Sequence, residues 1–454
     1  MSLSVIILAA GKGTRMQSSQ PKVLHPIACK PLLEHVYDTA KKLGADEIVI
    51  VYGHGGEQVL QTCEHFDARW VEQKQQLGTG HAVQQALPVI NVNNTVLVLY
   101  GDVPLTKLES LQRLLKNNAN KIALLTVELT DPTGYGRIIR DINKKVIGIV
   151  EQKDASDEQK TITEVNTGIL AAGGKTLKAL LDKINNKNAQ GEYYLTDIFA
   201  LAAAEKIEIN SSQPAAAYEV EGVNNRIQLA TLERIYQRNV ADALMAAGVT
   251  LADPARLDVR GEVDIAQDVY IDVNVILQGQ VKIGTGTVIG ANTIIIDSVI
   301  GDNVSVKPNC IIEQARIDNH VVVGPFARVR PDTHLCEHSK IGNFVEIKKA
   351  LIGAHSKVNH LSYIGDTEMG QHVNIGAGTI TCNYDGANKY KTTIGNNVFI
   401  GSDTQLVAPV KIADNVTVGA GTTITRDVEK DALVISRVPQ KIISGWQRPV
   451  KKPK

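Results

Sequence analysis

The sequence predicts two unlike folds in one chain: an α/β sheet domain and then a β-solenoid, joined by a long helix. Three observations carry that expectation. The first ~225 residues alternate short apolar runs with helix-spaced stretches, the grammar of βαβ units and a mostly parallel sheet. Residues 226–247 contain neither Gly nor Pro and place apolar residues at helical intervals up to Gly248. Beyond ~250, a β-branched residue followed by Gly recurs at near-multiples of six. A chain of 454 residues is long enough for two or three such units.

In chain order, Ser4–Ala10 reads as a strand running into a Gly-rich segment, with no basic stretch ahead of it that would suggest a signal peptide. Leu32–Leu43 has helical spacing and stops at Gly44. Glu47–Tyr52 is the next strand, and Gly80–Leu87 a short helix ended by Pro88. Thr95–Tyr100 is a β-branched strand ending at Gly101-Asp102, with Ile122–Leu129 and Val146–Val150 as further strands.

In the second half the Ile-Gly or Val-Gly pairs end at Gly284, Gly290, Gly301, Gly324, Gly342, Gly353, Gly365, Gly376, Gly395, Gly401 and Gly419. Every step between them lies within one residue of a multiple of six. The physical reading is a solenoid whose hexads are each a short strand plus a turn. The aliphatic side chain points inward onto its counterpart in the next coil, and the small residue beside it lets the chain turn. Stacked Ile and Val need few rings, which suits a chain with only 19 aromatic residues. The insert Thr381–Thr393 (TCNYDGANKYKTT) reads as a loop leaving the coil, a common position for function. This repeat resembles the hexapeptide-repeat, left-handed parallel β-helix family. The handedness comes from that resemblance, since the usual crossover rule favours right-handed connections.

Composition excludes several classes. Lys+Arg and Asp+Glu are equal at 48 each, so no net field favours nucleic acid or an anionic membrane. No apolar run approaches the ~18 residues of a membrane span. Five scattered cysteines without a C-x-x-C argue against a disulfide framework and favour a reducing cytoplasm. His334-Leu335-Cys336-Glu337-His338 could align three soft metal ligands on one strand face. With no fourth ligand evident nearby, it reads as a coincidence of the coil edge.

Chemistry concentrates first at Leu8-Ala9-Ala10-Gly11-Lys12-Gly13-Thr14-Arg15-Met16, followed by Pro21-Lys22. The glycines let backbone N–H groups approach a phosphate, and Arg15 and Lys22 bring cationic charge to the same anion. The segment is neither a Walker A loop nor a G-x-G-x-x-G fingerprint. It resembles the signature of sugar-nucleotide pyrophosphorylases. Further motifs of that family follow in order: Gln73 with Leu77-Gly78-Thr79-Gly80, Tyr100-Gly101-Asp102, Gly134-Tyr135-Gly136-Arg137, Glu151, Asn166-Thr167-Gly168 and Glu221-Gly222-Val223-Asn224-Asn225. From about residue 4 to 450 the chain resembles the bacterial bifunctional N-acetylglucosamine-1-phosphate uridyltransferase/glucosamine-1-phosphate N-acetyltransferase family.

That resemblance implies a Rossmann-like nucleotidyltransferase domain over 1–226, a linker helix over 227–247, an acetyltransferase β-helix over 248–437 and a basic tail over 438–454. It implies that Leu8, Ala9, Gly11, Lys22, Gln73, Gly78, Thr79, Tyr100, Gly101 and Asp102 bind the nucleotide, with Gln73 and Gly78-Thr79 on the uracil. It further implies that Gly136, Glu151 and Asn166 hold the amino sugar, that Arg15 and Lys22 are catalytic, and that Asp102 and Asn224 ligate Mg²⁺. From the residues alone, a carboxylate ending a buried strand needs a pairing group or a cation, with a helix cap before Leu105 as the lesser alternative for Asp102, and Asn224 reads as a turn residue.

His360, in Lys357-Val358-Asn359-His360-Leu361-Ser362-Tyr363, would point outward from an alternating strand. By itself it would be read as structural. Arg330 and Lys348 lie 18 residues apart, which one coil of a solenoid places about 4.8 Å apart. The family resemblance makes His360 the general base for acetyl transfer and gives the acetyl acceptor to Arg330, Lys348, Tyr363 and Asn374. It assigns acetyl-CoA to Ala377, Asn383, Tyr384, Ser402, Ala420 and Arg437. Lys441, Arg448, Lys451, Lys452 and Lys454 are either partners for CoA phosphates or a solvated end. The same resemblance implies a cytoplasmic homotrimer with acetyltransferase sites between subunits, and small-molecule substrates. The product would be UDP-N-acetylglucosamine for cell-wall precursors. A monofunctional pyrophosphorylase with a structural or allosteric β-helix is the alternative, and a non-catalytic sugar-nucleotide sensor a third reading.

Overall fold

The computed structural model describes residues 2–116 and 121–451; Lys452 and Lys454 of the basic tail lie outside the described residues. It divides into two compact units, 1–236 and 237–454, with the helix Arg226–Ala246 shared between them. Among the described residues, no helix is long and apolar enough to cross a membrane.

The first unit is built on a nine-stranded sheet. Its central strand, Leu3–Ala9, is buried along its whole length, as a strand covered on both faces must be. Thr95–Tyr100 and Glu47–Tyr52 pair with it in parallel, one on each side. The helix Leu32–Lys42 buries Leu32, Leu33, Val36, Tyr37 and Ala40 at helical spacing and ends where Gly44 adopts φ +79°. The sheet is mixed rather than mostly parallel. The ten-residue strand Glu164–Gly173 runs antiparallel to both Thr95–Tyr100 and Ile122–Glu128, and the hairpin Arg137–Arg140/Val146–Val150 is attached beside it. The sequence rule that alternation implies parallel pairing fails here because Glu164–Gly173 lies between Thr95–Tyr100 and Ile122–Glu128 and runs opposite to both.

The second unit is a parallel β-helix of the left-handed, hexapeptide-repeat class, so the expected fold holds for both halves. One face runs from Thr250–Leu251 to Leu433–Val434 through eleven strands, all paired in parallel. Along another face the inward column is Ile295, Ile312, Val329, Ile347, Ile364, Thr381, Leu406 and Ile424. These residues are almost fully buried, in a core made chiefly of Ile and Val. Thr381, the one polar member, sits at the base of the excursion loop. Its Oγ1 accepts the Gly365 N–H at 2.7 Å.

The role of the glycines differs from the sequence reading. The tight corners with positive φ are mostly occupied by Asn, Asp and His, such as Asn292, Asn303, His338 and Asp403. These are residues that tolerate the left-handed region. The glycines after the inward aliphatics are needed for stacking instead. A Cβ on Gly401 would stand 2.5 Å from the Ala420 nitrogen, and one on Gly376 would meet the backbone at Gly401 and Ser402. The repeat requires Gly because successive coils press backbone to backbone there.

Candidate functional site

In the first unit the carboxyl ends of the parallel strands open on a hollow of about 330 Å³. Leu8, Ala9, Gly11, Lys22, Gln73, Gly78, Thr79, Tyr100 and Asp102 line it, nine of the residues expected to hold the nucleotide. Gly101 stands at the end of the central neighbouring strand, its N–H donating to the Leu8 carbonyl at 2.9 Å. A side chain at Gly11 would meet no protein atom within 4 Å, so its bareness leaves the hollow open. Gly13 is in the left-handed region at φ +62°, and its missing Cβ makes room for the Lys22 stem.

The polar groups converge on one point. Lys22 Nζ donates to an Asp102 carboxylate oxygen and, at 3.3 Å, to the Asn224 Oδ1. Arg15 donates to the same Asn224 oxygen at 3.0 Å. Backbone geometry fixes the pair: the Val223 N–H donates to the Asp102 carbonyl at 2.9 Å, although 121 positions separate them in the chain. The next helix starts at Leu108, so Asp102 is not an N-cap. The ammonium therefore stands where a carboxylate and an amide oxygen face each other. That oxygen pair suits a hard divalent cation, and the lysine occupies a position of positive charge beside it.

Gly136, Glu151 and Asn166 form a second group. The Asn166 N–H donates to the Gly136 carbonyl at 2.8 Å, and a Cβ on Gly136 would lie 3.3 Å from both Glu151 carboxylate oxygens. Burial pushes the Glu151 carboxyl above its ordinary range, and the charges of Asp154 and Asp197 add to the shift. A hydrogen bond from Thr196 at 2.9 Å opposes it. Tyr100 links the two groups. Its ring fills the space left by Gly168, and burial with the nearby Glu151 and Asp102 charges raises its phenol strongly. Sequence reasoning missed Gln76, whose amide donates to the Ala10 carbonyl at 2.7 Å and ties the loop between Gln73 and Gly78 to the glycine loop. It also missed Glu192, which lines the hollow. No local motif marks either.

On the β-helix, the register sorts the expected residues into columns. Arg330 is stacked over Lys348, and Lys348 over Gly365. The space above Gly365 is filled by the Tyr363 ring and the Asn383 amide. Arg330 is bonded to Glu346 at 2.7 Å, a partner the sequence reading did not name. Lys348 faces Lys389 of the excursion loop, and its proximity and like charge push the Lys389 ammonium below the usual lysine range. Two adjacent ammonium groups, with Asp366 lining the same hollow as Lys389, leave positive charge available to a phosphate.

A second column follows one edge. His360 lies in register with Asn343 above it, and Ala377, Ser402 and Ala420 continue the line below. Arg437 lies over Gly419 at the end of this edge. His360 is exposed, and its Nδ1 stands 2.9 Å from the Asn343 Oδ1, an oxygen that can only accept. Asn343 was also missed, though its 17-residue offset from His360 is one coil. Asn374 sits on the same face one strand further on, in register with Lys357 and Phe399. Tyr384, at the tip of the excursion, is exposed and donates to the Gly386 carbonyl within its own loop. Among the described residues of the tail, Lys441, Arg448 and Lys451 are exposed and outside any strand.

The run His334–His338 does not lie on one face. His338 turns into a stack of imidazoles with His320, His355 and His372, at ring separations of 4.8 to 4.9 Å. His334 and Cys336 instead face Asp318 from the preceding coil.

Residues 5–143 match the MobA-like NTP transferase domain family, and residues 391–426 match the bacterial transferase hexapeptide family over six repeats. The chain joins a nucleotidyltransferase domain to hexapeptide repeats of the bacterial transferase type. Among solved structures, a nucleotidyl transferase from Methanothermobacter thermautotroptrophicus is 17% identical, with a TM-score of 0.39 over 52% of this chain and 99% of that one. A UDP-glucose pyrophosphorylase complexed with UDP-glucose is 19% identical, with a TM-score of 0.43 over 53% and 100% respectively.

Proposed function

We propose that the protein is a bifunctional transferase, with acetyltransferase residues on 248–437 and uridyltransferase residues on 1–226. It acetylates glucosamine-1-phosphate from acetyl-CoA, then transfers UMP from UTP to the N-acetylglucosamine-1-phosphate formed. Pyrophosphate and UDP-N-acetylglucosamine are the products. The observation that carries the reading is the convergence of Lys22, Arg15, Asp102 and Asn224 at the mouth of a nucleotide-sized hollow whose glycine loop is left bare.

For uridylyl transfer, Gln73 and the Gly78-Thr79 turn orient the base while the glycine loop receives the phosphates. Gly136, Glu151 and Asn166 hold the sugar. The sugar phosphate is already an anion near neutral pH, so no protein base is needed. Its oxygen attacks the α-phosphorus in line, and pyrophosphate departs with the displaced pair of electrons. Arg15 and Lys22 offset the charge that gathers as this happens. Mg²⁺, held by Asp102 and Asn224, would supply further neutralisation of the phosphate oxygens.

For acetyl transfer, Arg330, Lys348 and Lys389 bind the sugar phosphate. His360 Nε2 takes a proton from the 2-amino group as nitrogen attacks the thioester, Asn343 holding the ring in the required tautomer; the amide C–N bond forms, the C–S bond breaks, and coenzyme A leaves as a thiolate that takes up the proton. The Asn383-Tyr384 loop and the Ala377–Ser402–Ala420 edge receive the acyl donor, with Arg437 toward its phosphates. The family's homotrimer, with this site completed by a neighbouring copy, is part of the proposal.

The test is an omission assay with purified protein, glucosamine-1-phosphate, acetyl-CoA, UTP and Mg²⁺. Free thiol should form without UTP, and pyrophosphate only with acetylated sugar. Pyrophosphate without any thiol release would leave a pyrophosphorylase carrying a structural β-helix.

A further inference from the structure

One column of the β-helix breaks the repeat's own rule. The residues directly after the inward aliphatics on this edge are Gly284, Gly301, Asp318, Cys336, Gly353, Gly370 and Gly395 in successive coils. At each of these five glycines a Cβ would come within 3.0 Å of backbone in the next coil. Two consecutive coils nevertheless carry side chains there, and both side chains are metal-ligating types. His334, two residues before Cys336 and in register with Arg316, completes the group.

We propose that Asp318, His334 and Cys336 form a transition-metal site suited to Zn²⁺. The ligand atoms of all three lie within 4.8 Å of one another, and all three residues are half-buried. His334 Nε2 and Asp318 Oδ2 are already 2.7 Å apart. Tetrahedral Zn²⁺ with bonds of about 2.0–2.3 Å needs donor separations of about 3.3–3.8 Å, so small side-chain rotations suffice. The mixed nitrogen, sulfur and oxygen set favours zinc over the hard cations, and three protein donors leave a fourth position open to solvent. Strand pairing fixes all three backbones, so the donors are brought together before any ion arrives. Without a metal, burial and the Asp318 charge keep the Cys336 thiol protonated, with Arg316 opposing in part. Binding breaks the S–H bond, forms an S–metal bond and releases one proton to solvent. The imidazole proton moves to Nδ1, freeing the Nε2 lone pair, and nothing is oxidised or reduced. Arg316, which donates to Asp318 Oδ1 at 3.0 Å, is the competing cation.

His334 lines the same hollow as Lys389, a residue of the proposed acetyl-transfer site; the test reads a thiolate–metal band and not turnover, so its outcome is distinct from that of the proposed reactions. Co²⁺ is titrated into metal-free full-length protein and followed by the thiolate-to-cobalt charge-transfer band in the near ultraviolet. One equivalent should develop the band, and Zn²⁺ should remove it. Cys336→Ser and His334→Gln should abolish it, whereas Cys29→Ser should leave it unchanged. Arg316→Ala should tighten binding roughly threefold to tenfold by removing the nearby positive charge. Melting curves of each variant establish that it is folded. Absence of a band in folded wild-type protein overturns the site, as does a band that survives in Cys336→Ser or disappears in Cys29→Ser. The His320–His338–His355–His372 stack contains no thiol and cannot produce that signal.

Discussion

Replacing Asp102 by Asn separates the structural and chemical roles of the nucleotide hollow. Asp102 and Lys22 form an ion pair with side chains only 16% and 13% exposed. Breaking a fully buried pair costs about 3–5 kcal/mol, and an exposed pair contributes about 0–1. With this much solvent contact, and with the Asn224 oxygen still 3.3 Å from the ammonium, the expected loss is about 2–3 kcal/mol. In a unit of 236 residues that lowers Tm by roughly 4–12 °C. Adding Lys22→Met removes the stranded charge, so the double variant should recover most of the stability and none of the uridylyl transfer. Pyrophosphate release should fall at least about 100-fold in the single variant, the scale of losing a few kcal/mol of charge stabilisation. Thiol release from acetyl-CoA should be unaffected. Differential scanning calorimetry and a coupled pyrophosphate assay read both effects. A single variant that melts with wild type, or a double variant no more stable than the single, would refute the pairing argument. Loss of both transferase activities in folded protein would refute independent sites.

Other consequences follow from individual contacts. His360→Ala should collapse acetyl transfer while leaving amino-sugar binding nearly unchanged by calorimetry; an unchanged turnover number would dismiss His360 as the base. Thr381→Val strands the buried Gly365 N–H at a cost of about 1–3 kcal/mol, whereas Thr381→Ser keeps the bond and should stay near wild type in urea denaturation. Equal losses in the two would show that the hydroxyl is irrelevant. Glu151 has a raised folded pKa, so the folded state resists its ionisation. Below the unfolded value of about 4.3 it is protonated in both states and costs nothing. Stability is lost as pH rises from there through the folded pKa, and it stays lost above. Glu151→Gln should therefore raise Tm near about pH 7 but not near about pH 3.5; the same gain at both would sink the burial explanation.

The arithmetic of six was enough to place the solenoid, because a coil that stacks on itself must repeat its inward aliphatics. The same register let Arg330 and Lys348 be paired before any coordinates. The glycine loop was legible as a phosphate contact because few other uses put two glycines and two cations after a buried strand. Local pattern could not reveal that Glu164–Gly173 returns antiparallel, since the alternation of apolar residues is the same for either strand direction. Nor could it bring Asn224 to Lys22, a meeting that depends on the Val223–Asp102 backbone bond across 121 residues. By itself the sequence determined that there are two folds and which residue types stand ready for anions. Tertiary structure alone decided which oxygen faces which ammonium, that the Asn343 amide oxygen faces the His360 ring, and that Asp318 joins His334 and Cys336. Those outcomes depend on distances of a few ångströms between chain segments that sequence spacing places only to within a coil.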